Sequence, residues 1–179
     1  MKLAKTPLLV YLTVVNLIIY IDRGTVASLI SELKDPARGL GLSEEEAGLL
    51  GSGFMFGFMV TCPLFAHLAQ YSTISVMTFV GLGIWILGNV LACAAESFAV
   101  ILIARILTGV GEAPICPLIP PVIMDIAPTR SKSVGITQVW LGLYFAMMPM
   151  GQAFGYLYGE YTMEALGSWR WPFLLEGGL

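Results

Sequence analysis

Four ionisable residues stand where the surrounding sequence is apolar. Asp22 and Arg23 lie in residues 16–30, NLIIYIDRGTVASLI, and Arg105 and Glu112 in residues 101–113, ILIARILTGVGEA. Two acids and two bases cancel in formal charge. A charged side chain near a bilayer centre costs about 2.5 to 3.5 kcal/mol on insertion scales, so such residues are rare and pair with one another or line water. Arg105 and Glu112 are seven positions apart, close to two helical turns, and share one face with Thr108 and Gly109. Thr13, Asn16, Tyr20 and Arg23 form a second polar stripe, with Asp22 turned about 100° to its side. The chemistry this permits is proton exchange. A carboxylate in low dielectric takes a proton when its cationic partner leaves and releases it when the partner returns, which couples protonation to conformation. Asp22 is the first candidate carrier and Glu112 the second. The plainer alternative is a pair of static ion pairs, Asp22 with Arg105 or Arg23 with Glu112, that offset each other's desolvation. A removable targeting segment is a weaker fit, because the apolar run continues past the charges and further spans follow.

The elements that must position these residues are membrane helices. The chain has 179 residues, 57% hydrophobic and 12% charged, whereas soluble domains carry roughly 25% charged residues. A hydrocarbon core about 30 Å thick needs roughly 20 apolar residues of helix. Such runs predict an all-α, polytopic membrane bundle with five complete spans at residues 7–30, 46–67, 74–95, 98–125 and 133–159. Residues 169–179 begin a sixth. Span one runs outward and span four inward, so helix rise places Asp22 about 12 Å below the outer edge, level with Arg105. Glu112 then falls level with Asn16, near the midplane.

Ser43 and Glu46 have capping-box spacing, which predicts the start of the second helix. Gly48, Gly51, Gly53 and Gly57, and Gly151, Gly155 and Gly159, are packing signals, since small residues let membrane helices approach closely. Pro114, Pro117, Pro120 and Pro121 remove backbone donors, so the inner half of span four must bend or be satisfied by neighbours. With the N-terminus in the cytoplasm, Lys2, Lys5, Arg130 and Lys132 are inside, against Lys34, Arg38 and Arg170 outside; the balance favours that orientation.

Other functions have little support. The net charge is -3 and the basic residues are scattered, which argues against nucleic acid as a partner. Cys62, Cys93 and Cys116 are odd in number and far apart, suggesting neither a disulfide framework nor a metal clip. One histidine, His67, supports neither zinc nor hydrolytic chemistry, and no cofactor is expected. The glycines of GVGEA lack the strand context and lysine of a phosphate-binding loop, so an enzyme is not expected.

Three stretches, YIDRGTVASL, LSEEEAGLL and RILTGVGEA, together resemble the Spinster-like branch of the major facilitator superfamily. The likeness runs along nearly the whole chain but covers only the first half of that fold. It implies a secondary transporter of twelve helices, in which two bundles enclose a cavity lined by helices one and four. It further implies proton-linked movement of lysolipids, phosphorylated sphingoid bases or another amphipathic organic anion. Asp22 and Glu112 would be the proton-linked acids, and Arg23 and Arg105 charge partners or phosphate contacts; from the polar stripe of span one, Asn16 and Tyr20 join the arginines as substrate-binding candidates. Two features depart from the family pattern. Residues 66–75, AHLAQYSTIS, place Gln70 where the family's inner-gate loop carries an acid, and supply no lysine or arginine. The run of spans also stops at Leu179, so the expected partner besides bilayer, substrate and proton is a missing C-terminal bundle. A fragment with only structural ion pairs, or a non-transporting scaffold, is the alternative.

Overall fold

The computed structural model describes residues 5–126 and 134–178, and among these all regular structure is helical. Lys2, Arg130, Lys132 and Leu179, which entered the orientation and length arguments, lie outside the described residues. The helices are α1 (Lys5–Lys34), α2 (Glu44–Leu68), α3 (Ile74–Cys93), α4 (Phe98–Glu112), α5 (Ile119–Ile126), α6 (Val134–Leu166) and α7 (Arg170–Gly177). Thr6–Lys34, Glu44–Leu68 and Ser75–Cys93 are long and apolar enough to cross a membrane.

Local chemistry explains the ends. Ser43 Oγ accepts from the Glu46 amide at 3.2 Å, while the Ser43 amide donates to Glu46 Oε2 at 2.9 Å, so the expected capping box starts α2. The helix expected over 98–125 is broken. α4 ends at Glu112, turns occupy 113–118, and α5 follows. Pro117 has no amide to offer the Ala113 carbonyl, and the Cys62 thiol of α2 donates to that oxygen instead, at 3.8 Å. α6 runs past the expected end at residue 159 because helical hydrogen bonding does not require apolar side chains; Glu160 and Glu164 continue it. It stops at Gly167, whose φ of +71° ends the helix in the left-handed conformation. Arg170 donates from Nε to the Cys93 carbonyl (3.0 Å) and from Nη2 to that of Ala95 (2.7 Å), covering carbonyls left open at the end of α3.

Close packing sorts the helices into two groups. α1 lies along α6, and α4 lies between α2 and α3, with α7 against α3. Glycine makes both contacts possible. A Cβ on Gly24 would strike the Gln152 backbone of α6, and one on Gly155 the Ile21 backbone of α1. In the other group, a Cβ on Gly57 would strike Ile106 of α4, and one on Gly109 would strike Phe54 of α2. The pairing of α1 with α6 thus mirrors that of α4 with α2, as a repeat of three spans related to the next three would produce. Gly48 and Gly51 are different: neither has a neighbour within 4 Å, so they do not pack inside this bundle.

Gly109→Ala is therefore expected to destabilise the protein by about 1 to 3 kcal/mol through overpacking. Gly48→Ala should change stability by less than about 0.5 kcal/mol. Unfolding by titration with denaturing detergent measures both, and equal effects would contradict this packing.

Candidate functional site

Where α1 faces α4, the two helices meet mainly through side chains rather than through close backbone packing. Arg105 reaches across from α4 with Nη1 3.1 Å from Asp22 Oδ1 and Nη2 2.8 Å from Oδ2, an end-on bidentate pair. Both residues are buried. Arg23 reaches in the opposite sense, its Nε 3.2 Å and Nη2 2.6 Å from a single oxygen, Glu112 Oε2. The Glu112 side chain is fully buried, whereas that of Arg23 retains 19% of its exposure. Each neighbouring residue of the Asp22-Arg23 dipeptide therefore meets an opposite charge on α4.

Aromatic rings complete the surroundings of the cations. The Arg23 guanidinium carbon lies 4.5 Å from the Tyr20 ring centre and 4.7 Å from that of Phe54, with Phe58 at 5.9 Å. Arg105 stands 5.5 Å from the same Phe54 ring. Phe54 of α2 thus serves both arginines, holding them by cation–π attraction. Sequence reasoning passed over Phe54 and Phe58 because an aromatic residue in an apolar helix carries no sign that it faces a charge.

Of the residues singled out in the sequence, Asp22, Arg23, Arg105, Glu112 and Tyr20 come together. Asn16 does not join them: its Nδ2 donates to the Tyr144 carbonyl of α6 at 2.8 Å, which ties α1 to its packing partner. Thr108 is buried and donates to the Arg105 carbonyl at 2.8 Å. His67 lies in the last turn of α2, edge-on to Tyr71 at 5.4 Å. Glu176 and its partner Thr25 were also missed. Glu176 of α7 is buried, and its Oε1 lies 2.6 Å from Thr25 Oγ1 of α1. The reasoning that singled out Asp22, an acid inside an apolar run, applies equally to Glu176 in WPFLLEGGL.

Comparison with known proteins fits this geometry. The Major Facilitator Superfamily profile matches residues 12–179. The chain belongs to that superfamily, and with its long apolar helices it is an integral membrane protein. Within the superfamily, its relatives include Spinster proteins. The chain is 37% identical to "Probable sphingolipid transporter spinster homolog 1" of Arabidopsis thaliana, over 92% of this chain and 35% of that protein. It is 32% identical to "Protein spinster" of Drosophila melanogaster, over 88% of this chain and 25% of that protein. The crystal structure of a bacterial homolog to the human lysosomal transporter Spinster, in an inward-facing and unoccupied conformation, superposes with a TM-score of 0.81. That match has 21% identity and covers 99% of this chain and 41% of that one, which establishes the shared fold. The chain thus spans about a third of the length of the plant relative.

Because removing one partner leaves a buried charge uncompensated, Arg105→Met is expected to cost about 3 to 5 kcal/mol of stability. Adding Asp22→Leu should recover most of that loss. Detergent-induced unfolding reads both variants, and a double variant as unstable as the single would show that the pair does not act as a unit.

Proposed function

We propose that this chain supplies the first of two bundles of a secondary transporter, and that it moves an amphipathic organic anion, such as a lysolipid or a phosphorylated sphingoid base, in exchange with or alongside protons. One observation carries the substrate side of this reading. Arg23 is the only one of the four charges on the α1–α4 face with appreciable exposure, and Glu112 engages its Nε and Nη2, leaving Nη1 with no acceptor among the described residues. A phosphate or carboxylate entering from the open side would find a guanidinium already oriented by Tyr20 and Phe54. Arg105, buried and bonded through Nη1 and Nη2 to Asp22, acts as the charge partner rather than the contact. Tyr20 packs beneath the arginine, and Asn16 supports α1 from the α6 side.

Asp22 and Glu112 are the proton-linked acids in this reading. An anion binding Arg23 competes with Glu112 for the guanidinium, and a carboxylate that loses its cation in a dry site takes up a proton. Substrate and proton are thereby linked through one side chain. The N-terminus lies in the cytoplasm, following the excess of lysine and arginine on that side, and the names of the Spinster relatives favour a sphingolipid as substrate.

Proteoliposomes containing the intact transporter test this directly. Asp22→Asn and Glu112→Gln should each remove most of the flux response to a pH gradient. Arg23→Gln should raise the KM for a labelled lysolipid tenfold or more, about 1.4 kcal/mol or above, with a smaller change for a neutral analogue. An Asp22→Asn protein whose flux still answers fully to pH would exclude Asp22 as a carrier. Failure of unlabelled lysolipid to compete would exclude that substrate class.

A further inference from the structure

Glu176 is a third buried acid at a site whose two cations are already taken. Arg105 is engaged by both oxygens of Asp22, and Arg23 by Glu112. Glu176 itself is 1% exposed. The groups facing it are Asp22 and Thr25 from α1, Arg105 from α4 and Tyr158 from α6. The α3 residues beside the neighbouring Gly177, which are Ile86, Asn89 and Val90, are all uncharged. An ionised Glu176 would therefore leave the cluster with one uncompensated negative charge away from water, an arrangement proteins avoid by neutralising the group.

Counting hydrogens leads to the same place. The Thr25 hydroxyl owns one proton, yet its oxygen lies 3.0 Å from the Ile21 carbonyl, 3.4 Å from the Gly155 carbonyl and 2.6 Å from Glu176 Oε1. All three neighbours are acceptors when Glu176 is ionised, and one proton cannot serve them all. If Glu176 is protonated, its O–H donates to Thr25 Oγ1 and the threonine proton goes to Ile21, so each short contact has its own hydrogen. The other oxygen, Oε2, is buried with no donor among the described residues. That suits the carbonyl oxygen of a neutral acid better than half of a carboxylate.

We propose that Glu176 holds a proton in this conformation and donates it to Thr25 Oγ1, so that a neutral acid ties α7 to α1 one helical turn from Asp22. Glu176 is thereby a resting place for a proton beside the acid assigned to coupling. This concerns where a proton rests and not whether the protein transports.

Infrared spectroscopy of the intact protein in lipid at neutral pH reads that proton without any flux measurement. A carbonyl stretch of a protonated carboxyl group is expected, and Glu176→Gln should abolish it while keeping an oxygen beside Thr25. Thr25→Val leaves the acid in place and should shift the band by removing its hydrogen-bond partner, which tests the assignment even if the glutamine variant folds poorly. Absence of the band, or a band unaltered in both variants, would overturn the proposal. So would a band lost in Glu112→Gln and retained in Glu176→Gln. Loss of the flux response to pH in Asp22→Asn alongside an absent infrared band would leave the transport reading standing and this one refuted.

Discussion

The bundle depends on two charge pairs that cross the same gap in opposite directions. Asp22 of α1 receives Arg105 of α4, and Glu112 of α4 receives Arg23 of α1. Neither charge could remain in this apolar setting without its partner, and the backbones of α1 and α4 do not pack closely enough to hold the helices together themselves. Elsewhere the packing is of another kind. Glycines let α1 settle on α6, and let α4 settle between α2 and α3. The result is two closely packed groups joined at their facing helices by these charge pairs and by the apolar clusters on either side of them, one holding Val26 and Leu29 of α1 with Ile101 and Ala104 of α4, the other Leu9 and Leu12 of α1 with Ile119 and Ile123 of α5. Phe54 of α2 lies against both guanidinium groups, 4.7 Å from that of Arg23 and 5.5 Å from that of Arg105, and so touches both pairs.

Much of this arrangement was legible from residue type and spacing. The cost of burying charge made Asp22, Arg23, Arg105 and Glu112 conspicuous, and helix rise put Asp22 and Arg105 at one depth before any contact was known. The capping box at Ser43 and the packing role of Gly57 and Gly155 followed from equally local rules. Other features depended on partners remote in sequence. The break after Glu112 was foreshadowed by four prolines, but only the fold reveals that the Cys62 thiol attends to the Ala113 carbonyl. Gly48 and Gly51 have the same spacing pattern as their packed neighbours yet face open space, because a small residue signals that approach is possible, not that a neighbour is present. Asn16 lay in the right stripe and at the right level, but its amide satisfies a carbonyl of α6. Glu176 was overlooked although it too is an acid inside an apolar run; its partner, the Thr25 hydroxyl of α1, is uncharged and remote in sequence.

A transporter must tolerate polar groups at depth without becoming rigid around them. Here the compensation is unequal by design of the contacts: the Asp22–Arg105 pair uses four atoms in two parallel hydrogen bonds, while Arg23 makes both its bonds to one Glu112 oxygen. The first is the firmer clasp, and in the proposed reading the second is the one a ligand contests, since Arg23 is also the more exposed arginine. That reading assigns helix-to-helix attachment and ligand access to different members of a single four-charge set.

The central claim is that these pairs hold α1 to α4 and release when the acids are protonated. The most direct measurement is the distance between spin labels at Tyr11→Cys on α1 and Ile103→Cys on α4, both exposed sites, with the native cysteines replaced and the protein in lipid. Protonation removes the acids' charge, so acidification should lengthen or broaden the distance distribution relative to neutral pH. In a protein carrying Asp22→Asn and Glu112→Gln the distribution should be broad already and indifferent to pH. A distribution that is the same at both pH values in the otherwise unaltered protein would contradict the account.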